Sequence, residues 1–479
     1  MTASKRAFGN VLSLGAFKVV ADVLTILMFV FLARHFGQEG LGHYAFAMAF
    51  TSFVAMFANF GLESVAVREV ARDPSLEARF FSTYIIAGLA LTPVLLAVTA
   101  LLIWALDFSD EQAWICLSIG AYQILYFFSL IMVGRLRARN MMREVGILEV
   151  GLRFAILAGT IVIAFAGLPL DVVVVSFPIA TAIYLIILWL YLDRALGPIP
   201  WRFEPAFIRK TWPELWPFGL AMILHAGYVK IDMLMLGLFR PEAEVGTYAA
   251  AYRPIYGVAL IIAVSFSAAY PVFSQLFVES RESLSLVFSR LVNYVSVFCG
   301  LAGIGLIMLA KPVIQILYGG EFTDSILVMR LFAIYLVLTS LNVMAEHFLG
   351  AVNRQRTRTY GLFWTILLNI ALNLNLIPRY GYYGAIIATF ISEGALMFML
   401  YWRIHRDDFR SGIVVSAARV LVASGAAIGV WYLLRPEIGL IPATAGGTAT
   451  YLLICLATGA VRVDELRAAS LWIRRKSIA

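Results

Sequence analysis

The stretch HAGYVKIDMLMLGLF, residues 225–239, belongs to an apolar run of membrane-spanning length, yet it carries Lys230 and Asp232 near its middle. Similar runs recur along all 479 residues, and a helix needs about 20 such residues to cross the hydrocarbon core of a bilayer. The chain is 62% hydrophobic and only 14% charged, roughly half the charged fraction of a soluble protein. These features predict an all-α polytopic membrane protein.

The apolar runs predict about 14 transmembrane helices. The predicted spans are residues 11–33, 41–66, 80–106, 112–134, 145–167, 172–192, 213–239, 246–275, 288–310, 327–351, 358–378, 383–403, 412–434 and 439–461. With the N-terminus inside, the outer segments hold only Arg34, Arg240, Lys311, Arg379 and Arg435, and the inner loops are rich in Lys and Arg. Because positive loops stay in the cytoplasm, we predict that both termini are cytoplasmic and that the net charge of +8 does not indicate nucleic-acid binding.

A short repeat predicts two similar halves. GHYAFA begins at residue 42 and GTYAAA at residue 246, 204 residues or six spans apart. Because six is even, both halves have the same orientation, which makes the repeat parallel, as in transporters that bind substrate between two halves. The predicted domains are an N-terminal six-helix lobe (1–196), a cytoplasmic linker (197–212), a C-terminal six-helix lobe (213–405), and two further helices with a basic cytoplasmic tail (406–479).

Signatures of catalysis are absent from the sequence. It contains no G-x-x-x-x-G-K-[ST] phosphate loop, H-E-x-x-H, C-x-x-C or G-x-S-x-G motif. The three cysteines, Cys116, Cys299 and Cys455, are isolated and suggest neither a disulfide framework nor a metal site. We therefore predict a transporter that is not an enzyme and needs no cofactor or metal. A membrane glycosyltransferase or polymerase is the alternative from another class, although the longest outer loop, residues 311–325, is short for one.

Charged residues inside the spans should face a bundle interior or an aqueous cavity rather than lipid. Lys18 and Asp22 are four residues apart, as are Glu149 and Arg153. This spacing puts each pair on one helical face, which leaves two interpretations open. The charges could neutralise each other for structure, or they could line a cavity.

Lys230 and Asp232 differ from those pairs, since two residues correspond to about 200° of helical rotation and the side chains point in nearly opposite directions. By depth, Lys18 and Arg153 lie toward the cytoplasmic face, whereas Lys230 and Arg253 lie in the outer half. A cavity with these four cations would suit phosphate or diphosphate, which guanidinium and ammonium groups bind with charge-assisted hydrogen bonds. Mid-membrane acids are candidates for carrying a coupling cation: Asp22, Asp232 and Glu393.

Three stretches carry a resemblance to a known family: KIDMLMLGLFRPEAEVGTYAAAYR (230–253), LYGGEFTDS (317–325) and ALNLNLIPRYGYYGAIIATFISEG (371–394). The chain resembles the polysaccharide-transport branch, or Wzx-type flippases, of the multidrug/oligosaccharidyl-lipid/polysaccharide exporter superfamily. Asp232 falls at the position of an aspartate in that family's seventh span. The likeness extends over essentially the whole chain and includes the weaker GLESVAVREVAR (61–72).

The resemblance implies two six-helix lobes, two extra C-terminal helices and alternating access to a central cavity. The implied activity is the movement of an undecaprenyl-diphosphate-linked oligosaccharide across the bacterial inner membrane for O-antigen, capsule or exopolysaccharide assembly. Implied partners are the lipid-linked oligosaccharide, membrane lipids, H⁺ or Na⁺, and the polymerase and glycosyltransferases of the same pathway. Two alternatives within the superfamily are an H⁺- or Na⁺-coupled multidrug exporter and a lipid II flippase.

Overall fold

The computed structural model describes the backbone of residues 3–267 and 269–461, and the side chains of residues 15–259 and 269–461. All regular secondary structure in these ranges is helical. The chain forms two compact units, Met1–Gly246 and Thr247–Ala479. The basic tail predicted after the last span, residues 462–479, lies outside the described part of the chain.

The α-helices are, in chain order, α1 (Ala3–Ala55), α2 (Leu62–Arg72), α3 (Glu77–Ala105), α4 (Asp110–Ala138), α5 (Met142–Phe165), α6 (Leu170–Val173), α7 (Ser176–Leu196), α8 (Pro205–Phe239), α9 (Glu242–Ser267), α10 (Ala269–Glu279), α11 (Arg281–Tyr318), α12 (Ser325–Ala351), α13 (Gln355–Tyr380), α14 (Tyr382–Arg406), α15 (Ile413–Ile438) and α16 (Leu440–Ala457). Short 3₁₀ helices are formed by Met56–Ala58, Pro74–Leu76 and Gly320–Phe322.

The helices confirm the predicted all-α membrane fold. Within the described residues, 12 helical ranges are long and apolar enough to cross a membrane. The first, Gly15–Arg72, contains the first two predicted spans, and each of the other ranges matches one predicted span. The remaining predicted span, 246–275, falls on α9 and α10, which flank residue 268 outside the described residues.

Backbone breaks divide the long first range. Gly37 has a φ of 68° and separates two helices within α1, at the predicted boundary between the first two spans. The predicted second span is too long at its end, because α1 stops at Ala55 and the chain turns at Phe60 (φ 41°) and Gly61 (φ 80°) before α2. Positive φ values are incompatible with a continuous right-handed helix, so residues 62–66 belong to α2.

The helix containing the quoted stretch is longer than its predicted span. The seventh span was predicted to start at residue 213, but α8 begins at Pro205 and is preceded by the extended Glu204. Proline fits the first turn of a helix because its missing N–H has no intrahelical partner there. Part of the predicted linker 197–212 is therefore helical, while the division of the chain into lobes remains a prediction.

The first unit is organised around α1, which packs against α4, α5 and α8. At the start of the first repeat motif, a Cβ on Gly42 would overlap the backbone of Glu242. At the start of the second, a Cβ on Gly246 would overlap the backbone of Gln38. Glu242 is four positions before Gly246, and Gln38 is four positions before Gly42. Each motif glycine thus lies against the residue that is four positions before the glycine of the other motif. Glycine permits this close backbone approach because it has no side chain.

In the second unit, the two C-terminal helices pack onto α11. Trp431 of α15 and Tyr451 of α16 are buried in one apolar cluster with Met308 of α11. The Tyr451 hydroxyl donates a hydrogen bond to the Val297 carbonyl over 2.8 Å. In contrast, outward residues such as Val414 and Ile441 are about four-fifths exposed (79% and 80%), as expected for helices whose outer face meets lipid rather than water.

Candidate functional site

Lys230 lies half-buried on α8 and contacts the neighbouring helix α1. Its ammonium group donates to the Met48 carbonyl over 3.4 Å, and the Gln123 side-chain amide of α4 donates to the same oxygen over 2.9 Å. Among the residues whose side chains are described, no carboxylate forms an ion pair with Lys230. An ammonium group has three protons to donate, so one long hydrogen bond leaves capacity to bind an anion.

Arg153 lies on α5 in a different environment, because it is paired with Glu149. Its guanidinium donates to Glu149 over 2.8 and 3.0 Å and to the Tyr122 hydroxyl over 2.6 Å. It also lies over the Tyr126 ring, 4.8 Å from the centroid, and the Tyr126 hydroxyl donates to Glu149 over 3.1 Å. The two charges of this pair therefore neutralise each other in the structure. The Arg153 side chain is still 19% exposed.

Lys18 and Asp22 do not repeat that arrangement. Lys18 is exposed on α1 and Asp22 is half-buried one turn further along the same helix. No ion pair links them, and within the described side chains neither makes a hydrogen bond. The same four-residue spacing thus forms a pair on α5 but not on α1, since the pairing on α5 is supported by two tyrosines from α4.

The other predicted site residues lie on α8, α9 and α14. Asp232 is half-buried on α8, two residues beyond Lys230. Arg253 is half-buried on α9, within electrostatic reach of the Tyr318 hydroxyl. Glu393 is buried on α14, 2% exposed, and accepts a hydrogen bond of 2.6 Å from the Asn342 amide of α12. The same amide donates to the Glu393 carbonyl over 3.1 Å.

Uncharged partners of the charged residues were missed by the sequence reasoning. In the first unit they lie on α4. Tyr122 and Tyr126 contact Arg153, and Gln123 donates to the Met48 carbonyl. In the second unit Asn342 holds Glu393. The signal was available as the run AYQILY (121–126), since two hydroxyls and an amide within an apolar span also need partners away from lipid.

Polar and aromatic contacts also join the start of α8, its predicted cytoplasmic end, to α2 and to the turn before α2. Arg68 of α2 forms an ion pair with Glu214 and lies over the Phe218 ring, 5.5 Å from its centroid. Phe60 stacks on Trp212 at 5.7 Å. We call this set of five residues the α8 base cluster. The Gly42–Glu242 approach lies beyond the other end of α8, at the start of α9.

Neighbouring ion pairs strengthen the same end of the bundle. Glu77 is buried, 6% exposed, and accepts hydrogen bonds from Arg135 over 2.6 Å and from Arg139 over 2.7 Å. Arg135 also donates to the Leu196 and Gly197 carbonyls, each over 3.0 Å. The end of α7 is thereby fixed to α3 and α4. No group of three or more His, Cys, Asp or Glu residues suited to a metal occurs in the described part of the chain.

Comparison with known proteins gives one family match. Residues 8–277, more than half of the chain, match the family described as polysaccharide biosynthesis protein. Over 380 residues the chain is 22% identical to a protein of Haloferax volcanii described as a probable low-salt glycan biosynthesis flippase, and the match covers 77% of each protein.

Two solved structures share the fold. A lipid II flippase, MurJ, in an inward closed conformation superposes with a TM-score of 0.74 at 17% identity, over 92% of this chain and 97% of that one. A multidrug resistance transporter of the MATE family of the MOP superfamily, in an inward-facing conformation, gives a TM-score of 0.64 at 15% identity, over 84% of this chain and 95% of that one.

Proposed function

Because the chain belongs to the polysaccharide biosynthesis protein family, we propose that it is a flippase for a lipid-linked glycan. The fold shared with MurJ and a MATE transporter supports a place in the polysaccharide-transport branch of the multidrug/oligosaccharidyl-lipid/polysaccharide exporter superfamily. In this proposal the substrate is an oligosaccharide on undecaprenyl diphosphate. It moves from the cytoplasmic to the outer leaflet of a bacterial inner membrane by alternating access and is used for O-antigen, capsule or exopolysaccharide assembly. The Haloferax volcanii relative, described as a glycan biosynthesis flippase, supports the glycan part of the proposal.

The environment of Lys230 is the observation that carries the diphosphate part. A cation inside a membrane-spanning helix costs several kcal/mol unless a partner compensates it. The Met48 carbonyl at 3.4 Å is a weak partner for a full charge, and no described carboxylate pairs with Lys230. A diphosphate passing the site would supply the missing negative charge. Binding would then be favoured by charge-assisted hydrogen bonds, which are about twice as strong as neutral ones.

The other predicted cations have graded roles in this proposal. Exposed Lys18 would meet the diphosphate on the cytoplasmic side, and Arg253 would share its binding in the outer half. Arg153 is already satisfied by Glu149 and Tyr122, so it would contact substrate only by exchanging one of these partners. Asp22, Asp232 and Glu393 remain the proposed carriers of a coupling H⁺ or Na⁺. Polymerase and glycosyltransferases of the same pathway are proposed partners.

Two alternatives within the superfamily predict other substrates. A multidrug exporter binds cationic compounds, for which an uncompensated lysine is an unfavourable neighbour because like charges repel. The similarity to the MATE transporter is at 15% identity and concerns the fold alone. A lipid II flippase shares the diphosphate, so Lys230 does not separate it from the proposal, and the sugar must be tested directly.

Reconstitution tests the proposed function. Purified protein is placed in proteoliposomes with a labelled undecaprenyl-diphosphate oligosaccharide, and movement between leaflets is followed by access of a membrane-impermeant reagent. We expect transport of the oligosaccharide substrate above protein-free vesicles, slower transport of lipid II, and no accumulation of a cationic dye in the same vesicles. Dye transport without lipid movement would contradict the proposal. Reporter fusions after residues 138 and 355 (inside) and after 242 and 320 (outside) test the orientation.

A further inference from the structure

A charged pocket of about 380 Å³ lies in the second unit, and none of the predicted substrate-site residues line it. Three connections meet there: the start of α11, the α12–α13 turn and the α14–α15 turn. All three are loops that we predict to be cytoplasmic. The residues that line it include Arg281, Arg354, Arg406, Asp407, Asp408 and Phe409. We call this set the C-unit pocket.

One of the three pocket arginines is neutralised within the pocket. Arg354 binds Asp407 through two hydrogen bonds of 2.9 and 3.3 Å. Arg403, one turn before Asp407 on α14, also pairs with it over 3.1 Å. The single carboxylate of Asp407 is therefore shared by two guanidinium groups, which leaves net positive charge on this side of the pocket. Asp408 is exposed and adds one negative charge to the rim.

The other two pocket arginines are held by aromatic rings instead of carboxylates. Arg281 lies between Phe277 and Phe409, 6.0 and 5.9 Å from the ring centroids. Arg406 lies 5.3 Å from the Trp402 ring centroid. Neither forms an ion pair with any residue whose side chain is described. Cation–π contacts orient a guanidinium without cancelling its charge, so both groups can still bind an anion.

The aromatic residues beside this pocket predict that it lies at the level of lipid headgroups. Trp402 is 51% exposed, and Phe398, one turn before it on α14, is 73% exposed. Tryptophan concentrates at the membrane–water interface, with apolar rings such as phenylalanine deeper in the hydrocarbon. Arg406 follows Trp402 by one turn in the opposite direction, toward water. This order predicts that the Arg406 guanidinium lies at the depth of lipid phosphates, where basic pockets bind anionic headgroups.

We propose that the C-unit pocket binds the phosphodiester headgroup of an anionic glycerophospholipid from the surrounding leaflet. The three pocket arginines outnumber the two carboxylates, Asp407 and Asp408, by one. Arg403, which pairs with Asp407 from outside the pocket, adds a second surplus positive charge, and a phosphodiester would reduce this surplus. The lipid would link three connections of the second unit and would remain bound while the proposed substrate moves elsewhere in the protein. This assignment does not depend on which glycan is transported.

Lipid retention by the full-length protein tests the proposal. The protein is reconstituted in nanodiscs of phosphatidylcholine with phosphatidylglycerol as the probe, released into detergent, and examined by native mass spectrometry. One basic residue near a membrane surface contributes about 1 kcal/mol, or about fivefold in affinity. The double variant Arg281→Gln/Arg406→Gln loses two such contributions. We therefore expect it to bind phosphatidylglycerol about 25-fold more weakly.

A matched control separates the pocket from general electrostatics. Arg356 and Arg410 are exposed arginines of the same loops that do not line the pocket, so Arg356→Gln/Arg410→Gln makes the same charge change outside it. We expect this control and the charge-conserving Arg281→Lys/Arg406→Lys to retain the lipid. Equal loss in the pocket and control doubles would overturn the proposal, as would unchanged retention in the pocket double. If phosphatidylglycerol is displaced by inorganic phosphate or by lipid-linked diphosphate at equal concentration, the site is not a phospholipid site.

Discussion

Gly42 and Gly246 make the same backbone approach to each other's helices. A Cβ on Gly42 would overlap the Glu242 carbonyl, and one on Gly246 would overlap the Gln38 carbonyl. Both glycines begin a G-x-Y-A-x-A motif, and both contact residues precede a motif glycine by four positions. The next residue in each motif also makes a hydrogen bond near the start of another helix, through its side chain in the first motif and its backbone carbonyl in the second. His43 hydrogen-bonds Gln112 at the start of α4, and the Thr247 carbonyl accepts from Ser325 at the start of α12.

The close backbone approach predicts that a methyl group at either motif glycine lowers the stability of the protein. Gly42→Ala or Gly246→Ala would force backbone apart, and overpacking of this kind costs about 1–3 kcal/mol. We expect each variant to have a lower midpoint of thermal unfolding in detergent. Fluorescence-detected size-exclusion chromatography after heating measures this midpoint. Gly15→Ala on α1 and Gly257→Ala on α9 are matched controls, because nothing lies within 4 Å of a Cβ at either position. If the motif variants and the controls have the same midpoint, the close approach is absent in solution.

The sequence predicted the helices well because hydrocarbon thickness imposes a minimum apolar length on each span. The parallel repeat stays a prediction, which rests on the motif that Gly42 and Gly246 share. The sequence did not predict the break at Phe60 and Gly61, because an apolar run such as AMFANFGL (55–62) shows no change of hydropathy there. The pairing of Arg153 required its tyrosine partners on α4, which lie 27 or more residues away in sequence, and a pattern within one helix does not contain them.

The Arg153 group predicts a structural phenotype. Arg153→Ala leaves the Glu149 carboxylate without its cation, and Glu149→Gln leaves the guanidinium with fewer acceptors. Hydrogen bonds to charged groups contribute about 1.5–3 kcal/mol. We expect both variants to reduce the amount of folded protein in the membrane, and Arg153→Lys to restore only part of it, since lysine cannot replace the forked contacts. Normal folding of Arg153→Ala would show that Glu149 needs no cation.

We expect the α8 base cluster to restrict access of reagents from the cytoplasmic side to the start of α8. Loss of the Arg68–Glu214 ion pair should free the start of α8, so Arg68→Ala should increase the labelling of Thr211→Cys by a membrane-impermeant maleimide in inverted vesicles. The native cysteines are buried and give a low background. Arg72→Ala, which removes an exposed arginine of the same helix, should leave labelling unchanged. Equal labelling of the Arg68 variant and its parent would mean that the cluster does not restrict access.

If transport is coupled to an ion gradient, substitution of Glu393 and substitution of Asp232 should have different effects. Glu393 is buried and bound by Asn342, so Glu393→Gln should keep the hydrogen bond and the fold. If Asp232 carries the coupling cation, Asp232→Asn should remove the stimulation of transport by an imposed H⁺ or Na⁺ gradient while retaining substrate binding. The measurement is the ratio of transport with and without the gradient. A wild-type ratio for Asp232→Asn excludes Asp232 from coupling.

The central claim is that the Lys230 ammonium binds the substrate diphosphate, and a charge series tests it most directly. Transport of the labelled lipid-linked oligosaccharide is measured in proteoliposomes for Lys230→Arg, Lys230→Ala and Lys230→Glu, each normalised to folded protein. Lys210→Ala, at an exposed lysine of the same helix, is the control. Loss of one charge-assisted hydrogen bond worth about 1.5–3 kcal/mol predicts transport roughly 10- to 100-fold slower for Lys230→Ala, slower still for Lys230→Glu, and largely retained for Lys230→Arg. Well-folded Lys230→Ala with wild-type transport would contradict the claim.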